Sequence, residues 1–234
     1  LTIGQRPITI TADHQTKTYG ESDPALTAKA TNVVTGDAAT GALSRAPGEN
    51  VGLYAIFKAT YTYGSNYNES YVGDKLIVGQ RAIIITADHR YKTYGDTATF
   101  TGTEFTTPAG ALVNGDVINE VNLTSTGAPA TATLGSFPIV ASAARGTGLS
   151  NYSIAYSDGL LTVVKKALTV TANSFNKEYG TAYTFTGNEF STMGLVNGNT
   201  VTSATTVSSG ATAAATVGAY DNIITAAFGT GLEN

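Results

Sequence analysis

Two Asp-His pairs are the residues of this sequence whose types and spacing come closest to a catalytic or metal-binding motif. Asp13-His14 and Asp88-His89 occupy equivalent places in two copies of a repeated segment and contain both histidines of the chain. A carboxylate beside an imidazole could bind a metal ion or transfer a proton. The third copy has Asn173-Ser174 instead, and adjacent strand residues point to opposite faces. We interpret the pairs as polar strand ends and predict no metal site.

Three lysines, Lys17, Lys92 and Lys177, stand two positions before a Tyr-Gly pair in the three copies. One hypothesis is an intramolecular isopeptide bond to an Asn or Asp, as some surface proteins form. The alternative is a structural lysine whose aliphatic stem covers the tyrosine at a strand edge. We favour the structural role.

The Tyr-Gly pair itself also recurs, as Tyr19-Gly20, Tyr94-Gly95 and Tyr179-Gly180. A tyrosine followed by glycine is typical of a packed aromatic ring before a residue that is free to adopt positive φ. We therefore assign the lysine, tyrosine and glycine of each copy to a structural repeat motif.

A cluster of tyrosines in the first copy is the candidate ligand surface. Strand alternation would place Tyr61 and Tyr63 on one face, where a sugar ring could stack. The chain has no Trp, and the nearby Tyr67 aligns with Tyr152 of the second copy. We favour packing within the core for these rings, with glycan binding as the alternative.

Signatures of enzymes are missing from the sequence. It has no phosphate-binding loop, no nucleophile elbow, no His-Glu-x-x-His zinc motif and no EF-hand loop. It has no Cys, and Glu104 and Glu189 belong to different copies, too far apart for one paired-carboxylate site. We predict a protein that is not an enzyme and that requires no cofactor.

Composition excludes two classes of partner. Only 13% of the 234 residues are charged, and the net charge is -4. There is no basic surface signature for nucleic acid, and no apolar run near the ~20 residues that span a bilayer. We predict neither nucleic-acid binding nor membrane insertion.

The three copies organise the chain. Tyr19, Tyr94 and Tyr179 lie 75 and 85 residues apart, and the segments around them align. Residues 1–5 match the end of a copy, and the third copy stops before its last strand would begin. The predicted domains are 1–5 (last strand of a preceding module), 6–80 (module 1), 81–165 (module 2) and 166–234 (module 3, truncated).

Alternation of apolar and polar residues predicts an all-β fold. Ile8, Ile10 and Ala12 alternate with threonines, and the other copies keep the same parity. At most one short helix is expected per module, and the Asn-Gly-Asp sequence within 112–121 favours a loop there. Further predicted strands are 54–62, 71–78, 98–101, 137–143, 152–156 and 160–164. We expect small modules of β-grasp-like or sandwich-like topology.

Very short connections join the copies. Val78 to Arg81 and Val163 to Lys166 lead from one module's last strand to the next module's first, without a Gly/Ser linker. Such joints restrict bending. We expect an elongated array in which each module adds about 30–40 Å, from strands with ~3.3 Å rise per residue plus loops.

The first copy combines several short motifs: Lys17-Thr-Tyr-Gly20, Asp23-Pro-Ala-Leu-Thr27, Gly48-Glu-Asn-Val-Gly52, Gly64-Ser-Asn-Tyr67 and a closing Leu-x-Val strand. Together these motifs resemble the MBG domain of YGX type. The first copy matches over nearly its whole length, whereas the other two lack the Asp-Pro-Ala-Leu-Thr element. This family occurs in tandem in long bacterial surface proteins, including filamentous-haemagglutinin-like adhesins, and is not known for catalysis.

The resemblance implies an extracellular location on the bacterial cell surface. Our first hypothesis is a stalk whose repeats space a distal binding domain from the cell, with neighbouring repeats of the chain as the partners. The second is that the repeats bind a host glycan or surface protein through exposed Thr and Tyr faces. The third is head-to-tail self-association, in which residues 1–3 of one chain complete module 3 of another by strand addition.

Overall fold

The computed structural model describes residues 1–233 and shows an all-β chain, which confirms the predicted fold class. Asn234, the last residue of predicted module 3, lies outside the described residues. Helical structure in the described part is limited to two 3-10 turns, Leu149–Asn151 and Ser209–Ala211. None of the described helices combines the length and apolar character needed to cross a bilayer.

The first copy contains seven strands in two small sheets. In chain order they are β1 (Arg6–Ala12), β2 (Gln15–Thr18), β3 (Ala28–Thr31), β4 (Ser44–Arg45), β5 (Gly52–Phe57), β6 (Tyr67–Val72) and β7 (Lys75–Gly79). One sheet has the order β3-β1-β6 and the other β2-β7-β5-β4. β6 runs parallel to β1, and β7 runs parallel to β2. The chain therefore passes repeatedly from one sheet to the other.

The second copy repeats this connectivity. Its strands are β8 (Arg81–Ala87), β9 (Arg90–Thr93), β10 (Phe105–Thr106), β11 (Val117–Thr124), β12 (Gly135–Thr147), β13 (Tyr152–Ser157) and β14 (Gly159–Val164). The sheet orders are β10-β8-β13 and β11-β12-β14-β9, the same as in the first copy when counterparts are matched. The parallel pairs recur as β8 with β13 and β9 with β14.

The third copy has four strands among residues 166–233. They are β15 (Thr169–Ala172), β16 (Phe190–Met193), β17 (Thr200–Val207) and β18 (Ile223–Thr230). β15 pairs antiparallel with β16, and β17 pairs antiparallel with β18. These strands correspond to β8, β10, β11 and β12 of the second copy.

The first strand of each copy shows why the sequence folds this way. Ile8, Ile10 and Ala12 are buried, whereas the threonines between them face outward or are half-buried. Their counterparts on β8 are buried as well. On β15 the corresponding Val170 and Ala172 are only half-buried, so the third copy has less covered apolar surface on this strand.

Three of the predicted strands differ from the structure. Segment 98–101 forms no strand. Its backbone groups bond to separate partners: the Ala98 N–H donates to Ala128 O at 2.9 Å, and Thr99 O accepts from the Arg90 side chain. The strand predicted over 54–62 ends at Phe57, before Ala59 adopts positive φ. Segment 71–78 is interrupted at residues 73–74, where the chain leaves β6 and enters β7.

Two compact units divide the chain, and neither corresponds to a single copy. The first unit comprises residues 1–86, 105–122 and 142–157, and the second comprises 87–104, 123–141 and 158–234. Each unit therefore contains one joint between successive copies, together with residues from both sides of that joint.

Candidate functional site: the joint between successive repeats

The first joint is built around Tyr19, which follows β2. The Tyr19 N–H donates to Gly79 O at 2.9 Å, which holds the tyrosine beside the end of β7. Its ring is 3% exposed and packs with Val78 of its own repeat and with Ile83 and Tyr152 of the next. The two tyrosine rings meet edge to face, with centroids 5.5 Å apart. The first repeat thus places an aromatic side chain into a core that the second repeat completes.

Polar contacts close the same joint. The hydroxyls of Tyr19 and Tyr152 both donate to Asp116 Oδ2, at 2.8 and 2.9 Å. The Val113 N–H donates to the Tyr152 hydroxyl at 2.9 Å, and the Asp116 N–H returns to Val113 O at 3.0 Å. Burial, and also the Asp116 carboxylate, raise the pKa of Tyr19, so its hydroxyl remains a donor. We call residues 112–116 the acceptor turn of the second repeat.

Gly20 allows the Val113 side chain to pack directly against the backbone of the first repeat. Its φ is +82°, a region that favours glycine. A Cβ atom on Gly20 would lie 2.5 Å from Val113 Cγ2. The acceptor turn therefore contacts both members of the Tyr-Gly pair, and a side chain larger than hydrogen would displace it.

A buried asparagine makes a second link across the first joint. Asn151 is 4% exposed and lies in the 3-10 turn of the second repeat. Its side chain accepts from the Val51 N–H at 2.9 Å and donates to Asn50 Oδ1 at 3.1 Å. The Gly-Glu-Asn-Val-Gly element of the first repeat thereby bonds directly to the second repeat.

The second joint repeats the arrangement with one change. Tyr94 is 7% exposed, and its N–H donates to Val164 O at 2.9 Å. Gly95 has φ +88°, and a Cβ atom there would lie 2.6 Å from Val196 Cγ2. Asn199 stands where the first joint has an aspartate, and its Nδ2 donates to the Tyr94 hydroxyl at 3.1 Å. The phenol is a donor at one joint and an acceptor at the other.

The third Tyr-Gly pair is in a different state. Tyr179 is 70% exposed. Gly180 has φ +84°, the same backbone conformation as its two counterparts, but no described atom lies within 4 Å of a Cβ built on it. The positive φ therefore persists without a neighbouring turn against the glycine.

Lys17 is buried and belongs to an ionic cluster whose two carboxylate side chains, Asp23 and Glu49, are 38% and 58% exposed. Its side chain is 3% exposed, and Nζ lies 2.7 Å from Asp23 Oδ1 and 2.5 Å from Glu49 Oε2. Arg45 donates from Nε to Asp23 Oδ2 at 2.6 Å and also pairs with Glu49. Sequence reasoning named the lysine but missed its two carboxylate partners and the arginine that shares them.

The electrostatics of this cluster oppose isopeptide formation. Hydrogen bonds from Arg45 and then Lys17 lower the pKa of Asp23, and those from Lys17 and Arg45 lower that of Glu49. Burial alone would lower the pKa of Lys17, but the two carboxylates outweigh it and raise the pKa. Forming an amide requires a neutral amine and a protonated carboxyl group, whereas this cluster stabilises both ions. The geometry supports an ion pair that ties β2 to two loops.

The counterpart lysines bind carbonyl oxygens instead. Lys92 Nζ donates to Asp96 O at 2.9 Å and also to Pro129 O, and burial lowers its pKa. Lys177 Nζ donates to Thr181 O at 3.1 Å and to Thr212 O at 3.0 Å. The lysine lies on a strand in the first two repeats and outside the strands in the third, and only the first repeat supplies carboxylates to it.

A signal in the sequence explains this difference. Asp23 belongs to the Asp-Pro-Ala-Leu-Thr element and Glu49 to the Gly-Glu-Asn-Val-Gly element, and the second and third copies lack both. Each of the two elements supplies one carboxylate to the same lysine. Their joint presence was the pattern that could have identified the cluster.

The Thr-Gly-x-Glu sequence shared by the second and third repeats forms a small anion-binding turn. Glu104 accepts from the backbone N–H groups of Thr101, Gly102 and Thr103. Glu189 does the same in the third repeat, where the backbone and side-chain donors of Thr186 lower its pKa to about 2. Each glutamate satisfies its own loop, so the two have structural roles in separate repeats.

The two Asp-His pairs lie just after the first strands and join them to later turns. His14 Nδ1 lies 3.4 Å from Asp74 Oδ1, and His89 Nδ1 accepts from the Leu160 N–H at 2.9 Å. No group of three or more His, Asp or Glu side chains with metal-binding spacing occurs among residues 1–233. Each histidine thus contacts its repeat near the start of the last strand, at Asp74 just before β7 and at Leu160 within β14.

Tyr61 and Tyr63 are half-buried and pack against the core residues Ile8, Ile10 and Tyr67. The first two rings are inclined by 84°, with centroids 6.2 Å apart. Tyr63 meets Tyr67 in the same manner, at 69° and 6.0 Å. Rings set edge to face present no common flat surface, so this geometry favours packing over sugar stacking.

Comparison with known proteins agrees with the repeat pattern. The family model described as MBG domain (YGX type) matches twice, over residues 8–77 and 83–162. The two matches cover more than half of the chain. No curated protein matches the sequence.

Proposed function

Because the chain belongs to the MBG domain (YGX type) family, we propose that its repeats are a non-catalytic spacer of a bacterial cell-surface protein. In this function the repeats hold a binding region at a distance from the cell, and the joints set that distance. The proposal includes an extracellular location and neighbouring repeats as the principal partners.

The observation that carries the proposal is that each repeat is locked to the next by side-chain contacts. Tyr19 and Tyr94 are buried, and the glycine after each tyrosine abuts a valine of the following repeat. A flexible linker would leave these tyrosines in solvent. Three constraints act together at each joint: an apolar contact of the tyrosine ring, a hydrogen bond at its phenol and a valine side chain packed against the glycine.

The structural roles of the polar side chains support a function without catalysis. Lys17, Arg45, Asp23 and Glu49 neutralise one another, and Glu104 and Glu189 are bound by their own loops. Groups that are paired in this way hold the backbone in place, and are poor general acids or bases. Such pairing of the polar side chains agrees with a segment whose function is mechanical.

Small-angle scattering from the full chain tests the spacer function. A compact globule of this length would have a radius of gyration of about 18 Å. An array of three modules of about 35 Å each would be about 100 Å long, with a radius of gyration of about 30 Å. The proposal requires the larger value, and a value near 18 Å would overturn it.

Two further measurements test the location and the absence of ligand binding. Antibodies against the chain should label intact cells that carry the gene, and labelling only after lysis would contradict a surface location. The isolated chain should bind no glycan on an array. Specific binding that is lost in a Tyr61→Ala variant would assign the function to the tyrosine cluster instead.

A further inference from the structure

Both Asn-Gly pairs of the sequence lie in turns that contact a Tyr-Gly pair of the preceding repeat. Asn114-Gly115 belongs to the acceptor turn of the second repeat, and Asn197-Gly198 belongs to its counterpart in the third. Both asparagines are exposed. An Asn-Gly pair can deamidate without an enzyme, because glycine has no side chain to shield its amide nitrogen from the asparagine side chain. The two joints therefore contain sites for the same covalent change.

The conformation of each turn blocks this reaction while the joint is closed. The φ angles are +58° and +79° for Asn114 and Gly115, and +53° and +73° for Asn197 and Gly198, as in a type I′ turn. Deamidation begins with a ring closure that requires the glycine nitrogen and the asparagine Cβ to lie on the same side of the Cα–C bond between them. Left-handed backbone, with ψ about +47°, places these two atoms on nearly opposite sides. The asparagine must therefore leave the turn conformation before it can react.

The amide group of each asparagine also faces an oxygen atom of the preceding repeat. Asn197 Nδ2 donates to Ala130 O at 2.8 Å. At the first joint, burial raises the pKa of Tyr19, and hydrogen bonding by the Asn114 side chain is the largest influence that lowers it. The Asn114 N–H is thus directed at the phenol oxygen. A carboxylate in either position would present an oxygen atom where the amide now presents a donor.

We propose that Asn114 and Asn197 deamidate when their joints open, and that the carboxylates so formed weaken the joints permanently. The glycine nitrogen loses its proton to hydroxide and attacks the asparagine Cγ. The N–Cγ bond forms, the Cγ–Nδ2 bond breaks, and ammonia leaves with a proton taken from water. Water then opens the succinimide ring to aspartate or isoaspartate, so the net reaction consumes one water and releases one ammonia. The proposal does not depend on the spacer function.

The products act against closure in two ways. A carboxylate at position 114 competes with Asp116 for the single proton of the Tyr19 hydroxyl, and one at position 197 repels Ala130 O. An isoaspartate also adds a methylene group to the main chain of the turn, which displaces the valine that packs against the glycine of the preceding repeat. Because the ammonia is lost, each joint retains the change after it has opened once.

Variants that open one joint at a time test whether opening controls the reaction. Gly20→Ala places a Cβ atom against the acceptor turn and should raise the open fraction of the first joint about 5- to 150-fold. The full chain is incubated at mildly alkaline pH and analysed by peptide-mapping mass spectrometry. Deamidation of Asn114 should accelerate by the same factor, while Asn197 reacts at the wild-type rate. Gly95→Ala, which perturbs the second joint in the same way, should give the reverse result.

Tyr19→Phe keeps this test decisive if an alanine variant unfolds its repeat. It removes only the hydroxyl that donates to Asp116, and it should accelerate deamidation of Asn114 about 10- to 150-fold without affecting Asn197. Equal Asn114 rates in wild type and Tyr19→Phe would overturn the proposal. So would a wild-type rate equal to that of a synthetic peptide of residues 110–118, because the closed joint would then give no protection.

Asn114→Asp tests the consequence of the reaction. Aspartate tolerates positive φ as asparagine does, so the substitution changes the charge and the donor alone. The Val51 amide, which bonds across the joint to Asn151 Oδ1, should exchange about 5-fold faster. Asn122→Asp is the matched control, since it adds the same charge at an exposed position of β11 and should leave Val51 unaffected. Unchanged Val51 exchange in Asn114→Asp, or an equal increase in the control, would overturn the proposed weakening.

Discussion

Replacing Gly20 with alanine should open the first joint, and Gly180→Ala provides a matched control. Both glycines have φ near +83°, so both variants incur the same left-handed backbone strain, about 1–2 kcal/mol. Only the Gly20 variant places its Cβ against a neighbour, 2.5 Å from Val113 Cγ2. Overpacking of this kind costs about 1–3 kcal/mol. The difference between the variants isolates the contact between repeats.

Hydrogen exchange of the Val51 amide measures this opening directly. That N–H donates across the joint to Asn151 Oδ1 at 2.9 Å, so it exchanges when the two repeats separate. A destabilisation of about 1–3 kcal/mol corresponds to exchange that is about 5- to 150-fold faster in the Gly20 variant. In the Gly180 variant the Val51 rate should equal that of wild type. Unchanged Val51 exchange in Gly20→Ala would refute the joint as described.

The remaining predictions concern single polar contacts. Tyr19→Phe should lower the unfolding free energy by about 1.5–3 kcal/mol because a bond to a carboxylate is lost, and Tyr94→Phe by about 0.5–1.5 kcal/mol; urea denaturation should rank them in that order, with exposed Tyr179→Phe nearly neutral. Lys17→Met should destabilise the first repeat by about 1.5–3 kcal/mol, and an unchanged urea midpoint would contradict the ionic cluster. The pKa values of Asp23 and Glu49 are lowered, so their contribution is fully present above pH about 4 and is lost as the pH falls through the lower folded-state values. Stability measured from pH 2 to 7 should therefore decline less steeply in Lys17→Met than in wild type. Glu189→Gln should increase the amide exchange rates of Thr186 and Gly187, whose N–H groups donate to the Glu189 carboxylate. The amide exchange rate of Thr101, in the second repeat, should not change.

Local features of the fold could be predicted from the sequence because they depend on short-range patterns. Alternation placed Ile8 and Ile10 on the buried face of β1, and the structure confirms it. The strand predicted at 98–101 is absent from the structure, for a reason that the alternation of apolar and polar residues does not reveal. Its backbone groups bond separately to Ala128 O and to the side chains of Arg90 and Glu104, so they are satisfied without a continuous ladder to a neighbouring strand.

The joint could be predicted only in part, because its partners are far apart in the chain. The Tyr-Gly pair was recognised as structural, but Tyr19 and Asp116 are 97 residues apart. The Leu-Val-Asn-Gly sequence of the second and third repeats was visible as a repeat without any indication of what it touches. The ionic cluster was missed for the same reason, since Lys17 meets Glu49 from 32 residues away. Spacing within one copy cannot indicate a contact between copies.

Each copy contains both a Tyr-Gly pair and a counterpart of the acceptor turn, at residues 33–37, 112–116 and 195–199. Removing or duplicating one whole copy would therefore bring a Tyr-Gly pair against an acceptor turn of the same kind, and a joint would form there again. Genes for such proteins can gain or lose units by unequal recombination while the product still folds. The length of the protein then becomes a trait that evolution can adjust in single steps, without redesigning any contact.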